Sequence, residues 1–189
     1  MTSSTINPES SNTFASTIRG HTVTGRAHSL SAWFVLSLRL MMGWAFAYSG
    51  YTKIVAAEPF DAGGYLEFSA ATNGNPLAGL FAWMGSTPWF VEFANVAVPW
   101  GELLIGLGLL VGALTRLAAF FGAFLMTFFY FINGETGGWA HGVITGDLLG
   151  LLIFAMIATL GAGRVLGVDA YLAKTAFVKD HPRLRYFIG

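Results

Sequence analysis

The stretch 98–116, VPWGELLIGLGLLVGALTR, constrains this chain more than any other, being an apolar run with a carboxylate near its centre. With Ala94, Val96 and Ala97 ahead of it, the run is about 20 residues long; at ~1.5 Å per residue it crosses a ~30 Å hydrocarbon core and predicts a transmembrane helix. Glu102 is the anomaly, since a carboxylate at mid-membrane costs roughly 2.5 to 3.5 kcal/mol on insertion scales. A compensating group is expected elsewhere in the chain.

Composition points the same way. Of 189 residues, 54% are hydrophobic and 11% charged, and the mean hydropathy is +0.61, which suits a polytopic membrane protein and not a soluble domain. A net charge of zero and no basic, aromatic-studded surface argue against a nucleic-acid partner. Without cysteine there is no disulfide, no thiol nucleophile and no thiolate-held iron–sulfur cluster or zinc site. A lone peripheral histidine cannot supply a pair of haem ligands either. Neither haem, cluster nor metal is expected, so any electron chemistry must use a bound small molecule or a partner.

The hydrophobic pattern predicts an all-α membrane protein, a four-transmembrane-helix bundle with spans at about 30–54, 90–113, 117–132 and 143–162. Residues 1–29, rich in Ser, Thr, Asn and Gly, read as a mobile polar tail with no secretory-signal pattern, which should stay attached. Residues 165–189 read as a cytoplasmic amphipathic basic tail suited to an anionic membrane surface. In the long first loop, 77–84 is apolar but too short to cross and predicts an interfacial or re-entrant helix. Four spans put both termini on one side. Arg19, Arg26, Arg116, Arg164, Lys174, Lys179, Arg183 and Arg185 then share that side, and only Lys53 falls opposite, among Glu58, Asp61, Glu67, Glu92 and Glu135. The positive-inside rule places the termini in the cytoplasm, with the chain multi-pass in the plasma membrane.

Arg39, Gly43, Phe46, Gly50 and Lys53 fall on one helical stripe, and a face of two glycines and two cations should point into the protein. In the second span, Ala97, Gly101, Gly108 and Gly112 form a small-residue stripe for close helix contact, with Glu102 and Gly106 on the stripe beside it. Counting inward from the span ends puts Arg39 and Glu102 within about one helical turn in depth, which predicts them as the compensating pair. Lys53 and Asp147 are the expected second pair in the outer half. Such groups serve either as salt bridges that fix helix register or as a polar pocket for protons and anions. Arg39, Glu102, Lys53 and Asp147 are the catalytic candidates; Arg39, Glu102, Tyr48 and His141 are those for a quinone pocket. For Tyr48 and His141 the plainer reading is membrane anchoring and a solvated interface position.

The order of Arg39, Gly43, Phe46, Gly50 and Lys53, then Glu102, Gly106, Gly108, Gly112 and Thr115-Arg116, then Gly161-Ala162-Gly163-Arg164 and Asp169, resembles the DoxX/DoxD-like family of four-helix membrane proteins. The resemblance implies a membrane subunit like that of a thiosulfate:quinone oxidoreductase, with quinone as the small molecule and a second oxidoreductase subunit or a further copy of the chain as partner, besides membrane lipid. It places Arg39, Lys53, Glu102 and Arg116 at the family's charged positions. Two other readings stay open, a non-enzymatic scaffold or assembly subunit for a redox complex and a small-solute transporter acting as a dimer.

Overall fold

A computed structural model describes residues 13–26, 28, 30–72, 74–133 and 143–188. The described residues are mostly helical. After a β-hairpin, β1 (Thr13–Ile18) and β2 (His21–Arg26), come α1 (Ser31–Val55), α2 (Ala62–Ala71), α3 (Ala78–Gly85), α4 (Pro88–Val111), α5 (Thr115–Ile132) and α6 (Gly146–Thr159). A 3₁₀ turn (Ala162–Arg164), α7 (Asp169–Leu172), α8 (Ala176–Asp180) and a second 3₁₀ turn (Pro182–Tyr186) close the chain.

The four longest helices pack in sequence, α1 on α4, α4 on α5, α5 on α6 and α6 back on α1. The approach of α1 to α4 is closest at glycines. A methyl on Gly50 would collide with the backbone of Pro99 and Leu103, and one on Gly106 with the backbone of Ala47. A methyl on Gly43 would come within 3.0 to 3.1 Å of the backbone of Leu110 and Gly106. These contacts run the two helices antiparallel and set their register. It is the Glu102–Gly106 stripe of α4 that meets the middle of α1; of the small residues expected in contact, Gly108 lies close to Ala118 and Gly112 to Arg39, whereas Gly101 has open space beside it. Phe46, Leu109, Ala119, Phe154 and Ile157 fill the centre, with Phe46 edge-on to Phe154 at 4.8 Å over the gap left by Gly122.

The outer faces are aromatic and apolar, with Trp44, Trp100, Phe93, Phe120 and Phe124 more than half exposed. An apolar surface of this extent needs lipid or protein against it. Among the described residues two helices, α4 and α5, are long and apolar enough to cross a membrane. α6 has 14 residues, which spans about 21 Å.

Helices α1, α4 and α5 coincide within two residues with the apolar stretches 30–54, 90–113 and 117–132. Three expectations need correction. Part of the polar N-terminal stretch is a hairpin rather than a mobile tail, because Arg19 and Gly20 both take positive φ (49° and 81°), the two-residue turn whose twist matches paired strands. Apart from this one hairpin among the described residues the chain is helical, in keeping with an all-α membrane protein. The first loop holds two helices, not one: α2 starts where Asp61 accepts from the N–H groups of Gly63 and Gly64, and α3 covers the apolar 77–84 stretch. Finally, the fourth apolar stretch becomes helical only at Gly146, after Thr145 caps Leu148 N–H at 3.1 Å.

The α2–α3 pair packs over one end of α4 and α5. Leu66, Phe81 and Met84 form a second core with Phe128, Phe131 and Ile132. Ser69 Oγ donates to Ile132 O (2.9 Å) and Asn75 Nδ2 to Phe131 O (3.0 Å), so α2 and its loop satisfy carbonyls that the end of α5 leaves open.

Candidate functional site

Glu102 is 2% exposed, one turn beyond Pro99 on α4, and its carboxylate is held by Lys53. Lys53 Nζ lies 2.6 Å from Oε1 and 2.5 Å from Oε2, and donates also to Ser49 Oγ at 2.9 Å. The three donors of the ammonium are thus matched by three acceptors. The Lys53 side chain is 25% exposed against 2% for Glu102, so the lysine is the less buried member of the pair. The rings of Phe60 and Phe129 flank it at 5.5 and 5.9 Å. The pair therefore sits under a partial aromatic cover, near the end closed by α2 and α3.

Arg39 lies elsewhere, and the expected Arg39–Glu102 pair does not form. Gly43 opposite Gly106 and Gly50 opposite Pro99 bring Arg39 level with Gly112, nearly three turns along α4 from Glu102. The depth count failed because it took the helices to end flush, whereas α1 projects past the end of α4. Arg39 is 1% exposed, and its Nη1 donates to Ala162 O (2.7 Å) and Val165 O (2.8 Å), with Nη2 3.5 Å from Leu166 O. Those carbonyls belong to the turn that follows α6, where a cation is favourable. Arg39 Nε is buried with no hydrogen-bond partner among the described residues.

Asp169, fully buried, completes this second cluster. Its Oδ1 accepts from Leu114 N–H (2.8 Å) and its Oδ2 from Thr115 N–H (2.9 Å), at the start of α5, and its charge acts on Arg39. Backbone bonds from Val168 N–H to Val111 O and from Asp169 N–H to Gly112 O lock the two turns together. Gly112 adopts φ +70° there, and a side chain on it would run into Gly167 and the Arg39 guanidinium. The geometry is that of a strut joining α1, the α4–α5 turn and the end of α6.

The expected Lys53–Asp147 pair is also corrected. Asp147 is in the first turn of α6, near the positive end of the helix, and its Oδ2 accepts from Asn133 Nδ2 at 3.0 Å. Tyr48, expected at a quinone pocket, is 59% exposed and stacked on Trp44 at 6.3 Å, on the outer face of α1. His141 lies outside the described residues. Residue-by-residue reasoning missed Ser49, although its place four residues before Lys53 on the same helix face was a usable signal. It also gave Asp169 no partner. The signal was a carboxylate following the last apolar run, close to the Gly161–Arg164 turn.

Long helices with aromatic outer faces, two of them able to cross a membrane, and an ion pair between the first and second long helices define a helical membrane protein. The chain belongs to the DoxX family, whose model matches residues 34–134, more than half of its length. Arg39, Lys53 and Glu102 lie inside the match; Asp169 and the C-terminal arginines lie beyond it. No curated protein and no solved structure matches the chain.

Proposed function

We propose that the chain is a four-crossing membrane subunit of a quinone-linked oxidoreductase, with its termini on the cytoplasmic side of the plasma membrane and Lys53–Glu102 as its proton- and anion-handling site. Family membership supports a membrane subunit. The observation that carries the rest is a Glu102 side chain 2% exposed, tied to a lysine whose side chain is 25% exposed and whose ammonium lies near two phenyl faces. Reducing a quinone consumes two electrons and two protons, and a carboxylate beside a cation can hold and release a proton near such a ring. Phe60 and Phe129 would bear on the ring, and Lys53 would attract its oxygen or a reduced sulfur anion. The electrons come from a partner subunit, because this chain offers no cysteine-held centre. Arg39 has no part in that chemistry, and the site falls toward the face opposite the termini.

The test is purification with native lipids and partners. The proposal expects co-extracted quinone and thiosulfate-dependent quinone reduction, with Lys53→Met lowering the rate by about tenfold or more. Absence of both from the wild-type assembly overturns it. One observation favours a second reading, a non-enzymatic scaffold: all three Lys53 donors are already satisfied within the protein, as in a helix clip. A folded Lys53→Met/Glu102→Leu double variant separates the two, since a scaffold keeps partner capture and complex activity whereas a proton-handling site loses activity.

A further inference from the structure

At the end of the helices opposite Lys53, the C-terminal segment folds back on the start of α5. Leu117 N–H donates to Phe187 O at 3.2 Å, Arg116 Nη1 to Arg185 O at 3.3 Å and Arg116 Nε to Ala158 O at 3.1 Å, and Ile188 is buried. Beside the fold-back lies an open cleft of about 430 Å³ lined by Arg116, Arg164, Arg183, Arg185 and Tyr186. Arg116, Arg183 and Arg185, drawn from two separate stretches of chain, bring their guanidinium groups to this one opening and give it a positive field. Guanidinium forks match the oxygens of a phosphate.

We propose that this cleft binds the phosphate of an anionic phospholipid headgroup. The depth of the cleft identifies the source of the phosphate. Arg116 is the second residue of α5, a helix long and apolar enough to cross a membrane, so the cleft opens where the hydrocarbon region ends. Leu114, Leu160 and Leu166, each two to four residues from a cleft arginine, are exposed, as is Tyr186 in its wall. Apolar side chains around a basic opening seat it among lipids. The proposal is independent of the quinone reading, because it needs only that α5 enter the bilayer.

The experiment uses the full chain in neutral detergent, with lipid binding measured by native mass spectrometry for phosphatidylglycerol against phosphatidylcholine. The proposal expects phosphatidylglycerol to bind at least about tenfold more tightly, and Arg183→Gln/Arg185→Gln to remove most of that preference. Lys174→Gln/Lys179→Gln changes the net charge of the same tail equally outside the cleft and should keep the preference. Equal binding of the two lipids by the wild type overturns the proposal without any variant. Equal loss in the two double variants overturns it in favour of diffuse surface charge.

Discussion

Arg39 and Lys53 lie on one helix stripe but do opposite kinds of work. The guanidinium fork of Arg39 reaches carbonyls spread over Ala162, Val165 and Leu166, a task for planar, divergent donors. Lys53 offers a compact ammonium to one carboxylate. Replacing Arg39 with Met strands those carbonyls beside buried Asp169, and thermal unfolding in mild detergent should show a loss of about 3 kcal/mol. Arg39→Lys should recover less than half of it, because the ammonium lacks the planar guanidinium that sets Nη1 between Ala162 O and Val165 O and turns Nη2 toward Leu166 O. At this scale the stripe was legible and the partners were not. Helical periodicity tells which face a residue occupies, but pairing depends on how far one helix slides along another, and that is set by backbone contacts at Gly43, Gly50 and Gly106.

Those glycines decide how α1 and α4 dock. The small residues of α4 look equivalent in sequence, yet Gly106 lies against the Ala47 backbone while Gly101 has nothing beside it. Gly106→Ala should therefore destabilise by about 2 kcal/mol through overpacking. Gly101→Ala should be neutral or stabilising by up to about 1 kcal/mol through helix propensity. Chemical denaturation in detergent, comparing the two, checks this. The positions of α1, α4 and α5 were readable because long apolar stretches leave few alternatives. α2 was hidden because Gly63 and Gly64 read as breakers, whereas here their N–H groups are what Asp61 caps. The hairpin was hidden because its stretch is polar, although Arg19-Gly20 was a turn signal.

Across the whole molecule, charge divides between two ends: Arg39–Asp169 and the arginine cleft at one, Lys53–Glu102 beneath α2 and α3 at the other. If four crossings put the termini inside, Glu58 and Lys179 face opposite compartments. Because the chain has no cysteine, Glu58→Cys and Lys179→Cys can each be probed alone. A membrane-impermeant maleimide applied to intact cells should label the first, and the second only after lysis.

The central claim is that the Glu102 carboxylate is held by Lys53 and not by Arg39. Double-mutant cycles on unfolding free energy test it directly, one with Lys53→Met and Glu102→Leu, the other with Arg39→Met and Glu102→Leu. The geometry predicts a coupling of about 2 to 3 kcal/mol in the first cycle and additivity to within about 0.5 kcal/mol in the second. Coupling between Arg39 and Glu102, with Lys53 additive, would contradict it.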